Sequence, residues 1–154
     1  MSKDLFSKWD KMVDMEGLSE IVEGSEGGNY KEVPAGKYEV KVEKIELTES
    51  KSGLPMVTIW FKIISEGEYK GSLIFMNQVI TNTGFIGKVL SILKGLTSEC
   101  ENAPELKYVN IEQFNTLLLD VAEVIDNKFE YALDYSQDKK GYGIFKIEEV
   151  FVLD

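Results

Sequence analysis

Histidine is missing from this sequence, and all seventeen of its basic side chains are lysine, so arginine is missing as well. The two absences rule out a Ser-His-Asp or Cys-His arrangement, a histidine-bearing zinc site and an arginine finger. A single cysteine, Cys100, cannot form an internal disulfide. It sits in a polar stretch with no positive neighbour to lower its pKa, and is expected to be inert. No run of roughly eighteen apolar residues occurs, and residues 1–6 lack the apolar core of a signal peptide, so the expected compartment is the cytoplasm, with no membrane contact. The twenty-seven Asp and Glu include no recognisable paired-carboxylate motif for Mg²⁺ or acid–base work. The expectation is a non-catalytic protein with no metal and no cofactor.

A net charge of −10 opposes nucleic-acid binding by bulk electrostatics. Its distribution matters more than its total. Residues 1–33 and 83–127 each carry −4, residues 128–154 carry −2, and residues 34–82 are neutral. A neutral or basic groove can therefore sit within an acidic whole. At 154 residues the chain suits one domain with appendages.

The neutral stretch, residues 34–80, reads as three consecutive strands. In the first, Tyr38, Val40 and Val42 alternate, then the parity changes to Ile45 and Leu47, which predicts a bulge near Glu43 and Lys44. A bent, bulged first strand is what a small barrel needs in order to pair on both sides. The second, residues 56–64, is apolar or aromatic on both faces, with Val57, Ile59, Phe61 and Ile63 on one and Met56, Trp60 and Ile64 on the other. Between strands, residues 48–55 form a polar loop expected to be mobile, and residues 65–71 a loop whose glycines supply positive φ.

Upstream, Leu5, Phe6, Trp9, Met12 and Val13 make one stripe of an amphipathic helix over residues 4–16, with Trp9 read as a packing residue and Leu18, Ile21 and Val22 available for a further turn. Residues 23–29 are a flexible acidic linker. Downstream of Asn82, Phe85, Ile86, Val89, Leu90, Leu93 and Leu96 predict a second helix, and Asn110 with Gln113 a capped third helix carrying Phe114, Leu117, Leu118, Val121 and Ile125. Phe129, Tyr131, Leu133 and Tyr135 then alternate as a strand, and residues 136–141 turn into a last strand with Phe145 and Ile147 on its apolar side.

Three strands, a helical segment and two strands is the element order of the OB-fold, whose barrel carries a helix between strands three and four. The predicted class is mainly β with helical additions: an OB-fold-like barrel over residues 34–154, a two-helix insert at about 83–127, and residues 1–33 as N-terminal helix and linker. Another small barrel or an open α+β sheet shares that order. OB-folds bind oligonucleotides across strands two and three and between the loops joining strands one to two and four to five. Those places hold Lys51, Trp60, Lys62, Met76, Gln78, Tyr135, Lys139, Lys140, Tyr142 and Lys146, with Phe75 and Asn77 as the opposite-face choice on strand three. Aromatics for stacking and lysines for phosphates suit single-strand binding without sequence readout.

The chain also resembles a family of small phage and prophage proteins of Gram-positive bacteria, defined as a domain of unknown function and commonly taken to bind single-stranded DNA. The resemblance is carried by Val33-Pro34-Ala35-Gly36-Lys37-Tyr38, Lys51-Ser52-Gly53-Leu54-Pro55, Trp60-Phe61-Lys62-Ile63, Phe75-Met76-Asn77-Gln78, Tyr131-Ala132-Leu133-Asp134-Tyr135 and Lys139-Lys140-Gly141. It implies an OB-fold and a place in phage DNA replication or recombination. Better-known bacterial single-strand binders end in a disordered acidic tail, whereas residues 148–154 here read as strand. The expected partners are single-stranded DNA, phage or host replication and recombination proteins, and a second copy of the chain, since the N-terminal helix can reach either its own barrel or a neighbour's. The alternative is an acidic interaction module whose helices bind a replication protein.

Overall fold

A computed structural model of the chain describes residues 3–13, 33–140 and 143–153. Within them the elements run α1 (Lys3–Met12), β1 (Gly36–Glu49), β2 (Pro55–Ile63), β3 (Leu73–Val79), α2 (Thr83–Leu96), α3 (Ile111–Ile125), β4 (Phe129–Gln137) and β5 (Gly143–Val152). The strands form one antiparallel sheet in the order β3-β2-β1-β4-β5. Leu18, Ile21, Val22, the acidic linker, Gly141 and Tyr142 lie outside the described residues. Among the described residues no helix is long and apolar enough to cross a membrane.

Strand β1 serves two ladders because it changes parity midway. Residues 36–40 pair with β4, and residues 40–49 pair with β2. The register shifts between Val42 and Lys44, which leaves Glu43 as the extra residue at the place the alternation marks. On the inner side Val40, Ile45 and Leu47 meet Val57, Ile59, Phe61 and Ile63, all buried. Helices α2 and α3 complete that core with Val89, Leu93, Leu96, Phe114, Leu118 and Val121. Both begin at an asparagine cap: Asn82 accepts the Phe85 N–H at 2.9 Å and Asn110 the Gln113 N–H at 2.8 Å. Gln113 reaches back beyond its cap and accepts from the Val109 N–H at 2.8 Å.

Helix α1 docks on its own chain. Trp9, central in the stripe, is fully buried, and its indole N–H donates to the Gly53 carbonyl at 3.1 Å. Asp10 accepts the Ile111 N–H at 2.7 Å, placing a carboxylate at the positive end of α3. The β1–β2 loop, expected to be mobile from its polar composition, is thereby tied to α1 at Gly53. Ser50 is buried and closes the turn: its N–H donates to the Leu54 carbonyl at 2.8 Å, and its hydroxyl accepts the Leu54 N–H at 3.1 Å. Gly53 adopts φ +81°, a conformation that side chains disfavour.

Tyr131 is fully buried and donates its hydroxyl to the Leu96 carbonyl at 2.8 Å, satisfying one of the orphan carbonyls at the end of α2. Burial, and secondarily the neighbouring Cys100, hold this phenol well above the ordinary value of 10.0. Tyr108, edge-on against Phe114, is pushed up to about 12 by burial and by the Asp10 carboxylate. Unfolded, both phenols ionise near 10.0, so above that pH the unfolded chain holds fewer protons than the folded one. Their contribution to stability is complete below pH 10 and is lost as the pH climbs through the folded values. Melting temperatures should therefore decline steeply from about pH 10 upward. Tyr131→Phe should cost about 1–3 kcal/mol at neutral pH, because it leaves the Leu96 carbonyl buried without a donor, while flattening that alkaline decline. An unchanged alkaline slope in this variant would assign the decline to other groups.

Candidate nucleic-acid interface

With Val57, Ile59, Phe61 and Ile63 committed to the core, alternation turns Met56, Thr58, Trp60 and Lys62 of β2 to the outer side of the sheet. The ladders then fix their neighbours. Trp60 lies between Lys44 on β1 and Phe75 on β3, Thr58 between Glu46 and Asn77, and Lys62 between Lys41 and Leu73. The Trp60 and Phe75 rings meet edge to face with centroids 5.5 Å apart, and Lys44 Nζ stands 4.8 Å from the Trp60 ring centroid. Thr58 donates its hydroxyl to Asn77 Oδ1 at 3.0 Å. Trp60 and Phe75 are only half-buried, so both rings retain accessible surface.

Lys41 and Lys62 stand directly opposite each other, a like-charge pairing that is unfavourable unless an anion shares it. Two carboxylates are close: Glu43 lies 3.2 Å from Lys41 Nζ and Glu46 lies 3.1 Å from Lys44 Nζ. Exposed pairs of this kind are worth little in water, so a phosphate oxygen can replace either carboxylate at small cost. The face thus combines two accessible rings with three cations, two of them paired with the carboxylates of Glu43 and Glu46.

Of the residues expected to contact a ligand, Trp60 and Lys62 are on this face, and Lys51 is exposed in the loop that ends the β1–β2 ladder. Met76 and Gln78 are not on it. They pair with Ile59 and Val57, which puts them on the inner side, with Met76 only 4% exposed. The opposite-parity residues Phe75 and Asn77 take the outer positions instead. Tyr135 is half-buried on the inner side, its ring 5.3 Å from Phe145, which in turn stacks on Phe61 at 5.9 Å. Lys139 and Lys140 are exposed beside the β4–β5 turn, where Asp138 accepts the Lys140 N–H at 2.8 Å. Lys146 is on the outer side of β5 opposite Asp134, at the far end of the strand order from Trp60. Tyr142 lies outside the described residues. Lys41 and Lys44 are the members of the face that the sequence reading missed; Thr58 lies on the same side but is buried, its hydroxyl spent on Asn77. The parity change at Glu43 was the signal that could have found both lysines.

Strands β3 and β5, at the two ends of the sheet, are not paired with each other. A cleft of about 410 Å³ lies between them and α2, lined among others by Met76, Asn77, Gln78, Gly87, Lys88 and Phe145. Met76 and Gln78 therefore line a concave site, although not the one shared by Trp60 and Lys62.

Comparison with known proteins gives one family. A family model described as a protein of unknown function, DUF669, matches residues 21–141, a span that contains β1 to β4 and every residue of the Trp60 face. No curated protein matches the chain. Since the match covers well over half of the 154 residues, the chain belongs to the DUF669 family.

Proposed function

We propose that this is a non-catalytic protein that binds single-stranded DNA, with the strand laid across the outer side of β1, β2 and β3. The observation that carries the reading is the half-exposed Trp60–Phe75 pair bracketed by Lys41, Lys44 and Lys62. Stacking on such rings accepts any base, and lysine supplies charge to phosphates without bidentate base readout. The sheet order, with a bulged β1 shared between two ladders, supports an OB-fold barrel whose seam lies between β3 and β5. In this reading the seam is drawn together by Phe145 stacking on Phe61 and by α2. A role in phage or prophage DNA replication or recombination follows from the family resemblance.

Anisotropy of labelled oligo-dT provides the test. With three lysines on phosphates, the logarithm of the affinity should fall against the logarithm of salt with a slope of about −2, a loss of roughly 10- to 20-fold between 50 and 200 mM salt. A duplex of equal length should bind more weakly because its bases are already stacked. No binding at low salt would end the proposal.

One feature favours a second reading. Helix α3 exposes Glu112, Asp120 and Glu123 with Leu119, which is 54% exposed, a surface suited to recruiting a basic replication protein. If such a protein bound wild type and Trp60→Ala equally, and the wild type ignored single strands, this second reading would replace the first.

A further inference from the structure

We infer that the cleft between β3, β5 and α2 captures one base of the bound strand, turned out of the stack over Trp60 and Phe75; this deepens the single-strand reading and rests on it. Continuity is the first argument. Asn77 belongs to both places, since it accepts from Thr58 on the outer side and also lines the cleft. A strand that crosses the edge of β3 therefore passes from one into the other. The cleft has the chemistry of a base site. Met76, Ile92 and Phe145 offer apolar and aromatic surface for the faces of a ring, and the Gln78 amide, on the same side of β3 as Met76, offers hydrogen bonds for its edge. The Gln78 amide is held by its own Nε2–H, which donates to the Val79 carbonyl at 2.9 Å. Lys88, exposed on the rim, suits the attached phosphate. A volume of about 410 Å³ is within the range of small-ligand sites and too small for a packed helix.

Two glycines keep this space open. Gly87 lies within α2, where glycine weakens a helix, yet a Cβ there would meet nothing within 4 Å. On the opposite wall Gly143 lets the Phe145 ring fold over its backbone, and a Cβ there would come 2.7 Å from that ring.

The test fills the cleft from Gly87. Gly87→Leu meets no neighbour at Cβ and improves helix propensity, so the fold is retained, as a thermal melt will show. Should it fail to fold, Ser91→Leu, exposed one turn along and also lining the cleft, serves instead. Binding of oligo-dT is compared with binding of an equally long oligomer of abasic sites. The cleft-filling variant should lose roughly 5- to 150-fold in affinity for oligo-dT, the loss expected for one base contact, and bind the abasic oligomer as wild type does. Equal losses on both oligomers would mean that the cleft holds backbone and not a base. Wild-type affinity for oligo-dT in the variant, while Trp60→Ala is impaired, would overturn this inference and leave the single-strand reading standing. Absence of binding by the wild type would remove both. A change in the variant's solution mass without DNA would assign the cleft to a contact between copies.

Discussion

Trp9→Ala should destabilise the protein by about 3–5 kcal/mol, as truncation of a buried aromatic does, and lower the melting temperature by roughly 6–20 °C. The effect has three sources in one side chain. A fully buried indole leaves a cavity, the Gly53 carbonyl loses its donor, and Asp10 loses the position from which it caps Ile111. Trp9→Phe keeps most of the volume and forfeits the hydrogen bond, so its loss should be much smaller. Because Trp9 pins the β1–β2 loop that carries Lys51, the alanine variant should also bind single strands somewhat less tightly. A loss below about 1 kcal/mol would show that α1 is not part of the cooperative core.

The second large effect is on binding. Removing either Trp60 or Phe75 should cost about 1–3 kcal/mol of affinity for oligo-dT, or roughly 5- to 150-fold. The two rings touch, so the double alanine variant should fall short of the sum of the singles. Both side chains are half-buried on the outer side of the sheet, away from the Phe61 and Ile59 core, so melting should change far less than with Trp9→Ala. Variants that unfold would instead make these rings structural.

Much of the fold was legible because alternation and capping are local signals. Tyr38 to Leu47 announced the bulge, Asn82 and Asn110 marked two helix starts, and the Trp9 stripe marked a helix that had to dock. The β1–β2 loop was less legible, since the hydrogen bond its Gly53 carbonyl accepts comes from Trp9, far away in sequence. The site was legible in part. Trp60 and Lys62 declared themselves by standing opposite a core face, but β3 is apolar on both sides, so its parity could not be read without its partner strand. Register alone decides that Phe75 and Asn77, rather than Met76 and Gln78, accompany Trp60. Lys41 and Lys44 belong to that face only because Glu43 is the bulged residue between them.

The placement of the strand on the outer side of β1, β2 and β3 is tested most directly by the two indole N–H signals in a proton–nitrogen NMR spectrum, followed as oligo-dT is added. Trp60, beside Lys44 and Phe75, should shift progressively together with the backbone amides of Lys41, Lys62 and Asn77, while Trp9, buried and bonded to Gly53, should stay. A Trp60 signal that does not move at saturating oligo-dT, or shifts confined to α1 and α3, would contradict the account.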